Sequence, residues 1–571
     1  MWPFRRKQGR RLDAARARAE TRSQRWQRLR EAGAPGGIGI ALLFAVGCVL
    51  ILMLGGRGVS HHPGQRLDKP LLVRVAFDAP DPRDPERALH FEPNDRLVDA
   101  GIIDDNDYAL IQAEHKAYLA TAGSLALHVL GLSGLALLVT AGLGIYVFIY
   151  QPRIVKKPAR TLALAILLLL TLLATRVTVW ALWQTSWHVF VGAGMLVLSA
   201  MVLTIAYNQR FALGAGWFTA LLLVPAANQE FTFLLVLLAG VITVAMSLGT
   251  VRSRTKLVLV GAAAAGVMML TMLVMGLIGG HWELPLLWNM LACGGAGLAA
   301  GLVMQGLLPV IERAFDIATA MTLLEFSDVS RPLLRRLASD APGTFNHSLL
   351  LGTMAEAAAE AIGVNGLLTR VGAYYHDVGK INKPPYFAEN QEGKLSRHDK
   401  LSPAMSLLII LGHVKDGVEL VKEYNVPRVI WPFITEHHGT TLIEYFYHAA
   451  RQAQGEQAPV SEAQFRYPGP KPQSKETAIL MLCDSVEGAT RALTEPNAAH
   501  IEDVVYKISR KRLDDGQLDE CSLTLRELKT VEQSLTKSLL SFYHGRVQYP
   551  SSSAASKESP PAPAATSPKP A

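Results

Sequence analysis

Gly372-Ala373-Tyr374-Tyr375-His376-Asp377-Val378-Gly379-Lys380 sets an imidazole and a carboxylate side by side and follows them, one turn on, with a lysine. Around this stretch lie His347, His413, the adjacent pair His437–His438, and Asp484. Each of these residues alone is more often a surface or core side chain than a ligand. Together, seven such groups on separate helices of one domain suffice to close two adjacent metal sites around a shared carboxylate. Nitrogen and oxygen ligation without cysteine favours manganese or iron over structural zinc. Lys380 has two readings, a cation that offsets phosphate charge during displacement or a solvated lysine at a helix end.

Outward from this stretch, Arg331–Leu337, Ser348–Ile362 and Gly366–Tyr375 are amphipathic, and alternating β-branched runs are few, which predicts an all-α domain over 311–550. Within it Gln452–Lys475, rich in Gly, Pro and Gln, reads as a surface excursion between helices. The Pro, Ala and Ser tail 551–571 has almost nothing to bury and is expected to be disordered.

Toward the N-terminus the character changes. An apolar run at 37–56 lacks a cleavage pattern and reads as an uncleaved anchor; seven more follow near 123–149, 161–183, 188–206, 211–227, 231–249, 257–280 and 288–310. Basic residues collect in alternate loops, at Arg153, Lys156, Lys157 and Arg160, at Arg210, and at Arg252, Arg254 and Lys256, while the intervening turns have none. Eight crossings with the N-terminus inside put the C-terminal half inside as well, and leave 57–121 as the sizeable external piece. The expected fold class is therefore all-α, a multi-span helical membrane domain (seven spans over 122–310, behind the anchor) followed by an all-α cytoplasmic domain. Arg176, inside the third run, is read as a carbonyl contact or a snorkelling side chain rather than a signal relay.

The chain has 571 residues, half of them apolar, and a mean hydropathy of +0.21, which excludes an ordinary soluble protein. Its formal charge of +8 resides in the leader 1–36, where eleven Arg and Lys face Asp13, Glu20 and Glu31. A basic cluster just before an apolar span fits membrane orientation and a lipid bilayer better than a DNA or RNA polymer. The cysteines, Cys48, Cys293, Cys483 and Cys521, are scattered and suggest neither a disulfide framework nor a thiolate metal site.

With its upstream histidine and distant aspartate, His376-Asp377-Val378-Gly379-Lys380 resembles the HD superfamily of metal-dependent phosphohydrolases. Ala341-Pro342-Gly343-Thr344, Glu389-Asn390-Gln391, Gly412-His413-Val414, His437-His438-Gly439-Thr440-Thr441, Arg466-Tyr467-Pro468-Gly469-Pro470 and Lys475-Glu476-Thr477 narrow the resemblance to the bacterial seven-transmembrane HD family. It covers roughly Leu308 to Pro550, and the layout of anchor, external segment and seven spans is similar too. The resemblance implies hydrolysis of cyclic di-AMP to the linear dinucleotide at the cytoplasmic face of a bacterial inner membrane, with both termini cytoplasmic. It also implies two divalent metal ions, one held by His347, His376 and Asp484, the other by His413, His437 and His438, with Asp377 bridging and a metal-bridging water or hydroxide as nucleophile. His376, Asp377 and Lys380 are the expected catalytic residues.

The chain departs from the family pattern in its short external segment, in Phe345-Asn346 before His347 where Tyr-His is usual, and in Cys483 before Asp484 where Ala is usual. Leu97-Val98-Asp99-Ala100-Gly101-Ile102-Ile103 followed by Tyr108 is similar to the end of the family's larger external domain. An HD enzyme for cyclic di-GMP would carry Gly-Tyr-Pro after the histidine pair, whereas His438 runs into Gly439-Thr440-Thr441. A nucleotide-binding membrane receptor is the reading from another class, and loss of a ligand position would mark it; all seven are present. A homo-oligomer is left open.

Overall fold

The computed structural model of the chain describes residues 34–54, 61, 63–64, 66–67, 70–155, 157–181, 189–229, 232–280, 284–391, 397–454, 460–493 and 497–544. Nearly all of the basic leader and the whole of the tail lie outside the described residues. The chain divides into two compact units, 1–321 and 322–571.

In the first unit, each of the eight apolar runs forms a helix: Ala34–Met53, Ala122–Tyr150, Pro158–Ala181, Val189–Ala206, Gln209–Ala226, Thr232–Ser247, Arg254–Ile278 and Leu284–Phe315. Lipid offers no partners to backbone N–H and C=O groups, so an apolar run that enters a bilayer must satisfy them internally as a helix. Five of the eight are long and apolar enough to cross a membrane, and Phe190–Ala206 and Thr232–Ser247 are shorter apolar helices. The protein is a membrane protein. Large apolar side chains such as Leu43, Leu138, Met246 and Ile278 face outward, as a lipid-facing surface requires.

Apolar side chains gain little from leaving lipid for one another, so helix association there depends on close backbone packing. Helices Arg254–Ile278 and Leu284–Phe315 meet through Gly261 and Gly301, where a Cβ on Gly261 would come within 2.7 Å of the Gly301 Cα. Arg176 is buried, with Nε donating to the Leu54 carbonyl at 2.8 Å and Nη1 to the Ala226 carbonyl at 3.3 Å and Asn228 Oδ1 at 3.0 Å. These are the carbonyl contacts expected from the sequence.

The segment after the first helix departs from a purely helical plan. Phe77–Asp81 pairs antiparallel with Asp84–Phe91, Arg66–Leu67 with Gly101–Ile102, and Leu71–Leu72 with Arg96–Val98. Helix Asp105–Ala120, started by a capping box between Asp104 and Asp107, covers this small sheet region. Arg74 grips Glu114 through its backbone N–H, Nε and Nη2. Leu97, Val98 and Ile103, from the stretch singled out above, are part of the core here.

Among the described residues the second unit is helical apart from one isolated bridge, Leu442 to Arg466. Its core is built on helices Pro342–Ala361, Lys475–Arg491 and Leu525–His544, with Leu351, Ala355, Ile479, Leu482, Val486, Val531 and Leu535 fully buried. Helices Gly366–Tyr375, Pro403–Glu423 and Trp431–Glu436 complete the frame around the histidines. Pro342 stands at the helix start, where its missing N–H costs nothing, so this helix begins six residues before the predicted Ser348.

Candidate metal centre

The seven residues come from five helices. His347 lies within Pro342–Ala361, His413 within Pro403–Glu423 and Asp484 within Lys475–Arg491; His376 caps the end of Gly366–Tyr375, and His437 caps Trp431–Glu436. Asp377 leads into the tight turn Val378–Asn382. Gly379 lets that turn rest on the His413 helix, since a Cβ there would collide with the His413 carbonyl.

All seven residues meet. Asp377 is buried at the centre: Oδ2 lies 3.1 Å from His376 Nε2 and 3.9 Å from His347 Nε2, and Oδ1 lies 3.4 Å from His413 Nε2 and 3.6 Å from His437 Nε2. Asp484 stands 3.2 Å from His347 Nε2 and 3.9 Å from His438 Nδ1. Three imidazoles are fixed in the same way, Nδ1 meeting the carbonyl three residues earlier: His376 with Ala373 at 2.7 Å, His413 with Ile410 at 2.5 Å and His437 with Ile434 at 3.0 Å. Each bond places the proton on Nδ1 and turns the Nε2 lone pair toward Asp377, which is how metal-binding histidines are oriented.

The charge pattern matches. Burial pulls His413, His437 and His438 below the usual histidine range, reinforced for His437 and His438 by neighbouring imidazoles; His437 falls to about 3. These are neutral rings. Burial acts against the charged form of His347 too, but its hydrogen bonds with Asp484 and Glu487 outweigh it and raise the pKa to about 10. Burial works against ionisation of Asp377 as well, yet His376 and Lys380 hold it well below the carboxylate range.

A divalent cation fits this donor set. The ligand atoms of Asp377, His413, His437 and His438 lie within 4.8 Å of one another, as do those of His347, His376 and Asp377. His376 Nε2 and Asp377 Oδ1 are buried without a hydrogen-bond partner, a costly state that a bound cation relieves. The family described as "7TM receptor with intracellular HD hydrolase" matches residues 127–319, and the HD domain matches 344–489. The chain belongs to the seven-transmembrane HD family.

This seven-transmembrane HD chain is 46% identical over 255 residues to the cyclic-di-AMP phosphodiesterase PgpH of Bacillus subtilis, covering 45% of this chain and 35% of that protein. To the PgpH of Listeria monocytogenes it is 38% identical over 356 residues, 61% of this chain and 49% of that one. It thus spans half or less of the curated relatives it matches. A crystal structure of the L. monocytogenes PgpH HD domain in complex with cyclic-di-AMP is 45% identical, with 38% of this chain and 100% of that chain covered and a TM-score of 0.37.

Around the seven candidate ligands stand Lys380, for which the sequence left two readings, and further residues that sequence reading passed over. Lys380 is not a solvated helix-end lysine: Nζ lies 2.7 Å from Asp377 Oδ2 and 2.8 Å from Glu389 Oε1. Thr344 ties the two flanking motifs together, its Oγ1 donating to Glu389 Oε1 at 2.9 Å and its N–H to Asn390 Oδ1 at 3.1 Å. Glu487 Oε2 holds His347 Nδ1 at 3.1 Å, and Arg491 holds Glu487. The signal for Glu487 was its spacing, one turn after Asp484 on the same helix.

The Gln452–Lys475 stretch is also not a mere surface excursion. Phe465 and Tyr467 are buried, and the Tyr467 ring stacks on His438 with centroids 4.2 Å apart. Arg466 secures this placement by donating to the Thr440 carbonyl, and Gln473 N–H to Glu436 Oε2. Of the departures from the family pattern, Asn346 is exposed and Cys483 is packed in the core.

Proposed function

We propose that this protein is a membrane-tethered, metal-dependent phosphodiesterase that opens cyclic di-AMP to the linear dinucleotide. The observation that carries the reading is Asp377, one buried carboxylate whose two oxygens face two sets of imidazoles, His347 and His376 on one side and His413 and His437 on the other. In this reading His347, His376 and Asp484 hold one ion, His413, His437 and His438 the other, and Asp377 is shared; manganese or iron suits the donors. Divalent cations at such a site supply acidification of water and stabilisation of the charge that develops on phosphorus during in-line attack.

The residues do the rest. Lys380, fixed by Glu389, keeps Asp377 anionic and aimed, and Glu487 orients the His347 ring. The substrate assignment draws on the PgpH relatives, whose names state that activity, and on the cyclic-di-AMP complex of the related HD domain. The leader 1–36, the anchor 37–56, the external segment 57–121, the seven-span region 122–310 and the HD region 311–550 are placed as the loop charges suggest, with both termini in the cytoplasm.

The test uses the full-length protein in detergent, loaded with manganese or iron, beside the His376→Ala, Asp377→Ala double variant. The expected result is cleavage of cyclic di-AMP in preference to cyclic di-GMP, and none by the variant. Metal binding without hydrolysis of either dinucleotide would make the protein a receptor instead.

A further inference from the structure

Among the described residues, three cations in and beside the candidate centre are matched by carboxylates. Lys380 lies between Asp377 and Glu389, Arg491 is held by Glu487, and Arg466 grips both Glu462 and Asp515. Arg512, on helix Ala498–Asp514, differs: among the described residues its partner is the Ser485 hydroxyl, met by Nε at 3.2 Å and Nη2 at 3.1 Å, and no carboxylate is within ion-pair distance. The acids in its surroundings are already engaged, Asp515 by Arg466 and Gln517, Glu444 by Lys511, and Asp484 by His347.

The place of this guanidinium is informative. Ser485, which fixes it, directly follows Asp484 of the cluster. Tyr467, stacked on His438, is within electrostatic range of Asp377, Asp484 and Arg512, so ring, guanidinium and cluster form one neighbourhood. A guanidinium carries five N–H donors in a rigid fork suited to phosphate oxygens, and one hydroxyl leaves most of them unused. Keeping such a group largely out of water without a counter-ion is unfavourable unless an anion arrives to complete it.

We infer that Arg512 binds the phosphodiester of the cyclic dinucleotide that is not being cleaved, while the other phosphodiester faces Asp377 and the imidazoles. This rests on the substrate proposed above. A cyclic dinucleotide has two phosphodiesters in one ring, so when one is taken at the cluster the second is left for a separate donor such as this guanidinium. Lys380 is unsuited to that role because two carboxylates already hold it.

The experiment compares the full-length manganese-loaded protein with Arg512→Gln and Arg512→Lys, on cyclic di-AMP and on bis(p-nitrophenyl) phosphate, which has a single phosphodiester. Arg512→Gln is expected to raise KM for cyclic di-AMP about 10- to 100-fold with a smaller change in kcat, and Arg512→Lys to recover part of the loss. The loss on the single diester should be much smaller, with metal content equal to the parent's in both variants. Equal losses on the two substrates, or an unchanged KM for cyclic di-AMP, would overturn the assignment. A parent protein active on the single diester but inert toward cyclic di-AMP would remove the proposed substrate, and this role of Arg512 with it.

Discussion

Glu487 Oε2 lies 3.1 Å from His347 Nδ1 on one side, and Arg491 grips the carboxylate on the other, so Glu487 is placed to set the direction and the basicity of a candidate ligand. Glu487→Gln keeps the shape and removes the charge. Manganese affinity is expected to fall about 10- to 100-fold, with kcat/KM following, as for other outer partners of metal-binding histidines. Calorimetric titration with manganese measures it, and unchanged affinity would reduce Glu487 to an ordinary buried acid. The seven clustered residues were legible from sequence because histidines and aspartates at those positions have few other reasons to occur together. Glu487 was not, because an acid one turn from another on a helix is also the commonest solvated pattern, and only packing against His347 separates the two cases.

At the scale of elements, the turn Val378–Asn382 shows how little space the design leaves. Gly379→Ala sets a methyl group against the His413 carbonyl, which belongs to a helix backbone and cannot yield. The turn carrying Asp377 must then shift. The variant is expected to lose about 1–3 kcal/mol of stability and most of its activity, read by thermal denaturation and hydrolysis rate. Activity retained at the parent's level would mean that the turn has slack. The helices of both units were readable from their apolar spacing, since that spacing is what drives them to form. The short strands around Phe77–Asp81 and the burial of Tyr467 were less so: two- and three-residue strands have almost no period to detect, and Gly and Pro mark a turn whether or not an aromatic ring between them is anchored against a histidine.

For the whole molecule, composition was informative about the membrane half and silent about its packing. Apolar runs announce helices, but the meeting of Gly261 with Gly301 depends on which helices become neighbours, which hydropathy does not encode. The net charge, concentrated in the leader, says how the chain meets a lipid surface and nothing about the HD half. The carbonyl bonds of His376, His413 and His437 belong to this scale as well. Each ring is locked by its own helix, so the receptor for the ions is preorganised by the fold and does not await them. In small zinc domains the opposite holds, and the metal supplies the folding free energy. Chelation should therefore abolish hydrolysis here while leaving the helical circular dichroism intact, and re-addition of manganese should restore activity without a refolding lag; a collapse of helicity on chelation would mean that the ions are structural. On the proposed function, a cell short of the divalent cation would hold this protein folded in its membrane as a silent reserve, ready to work again when the metal returns.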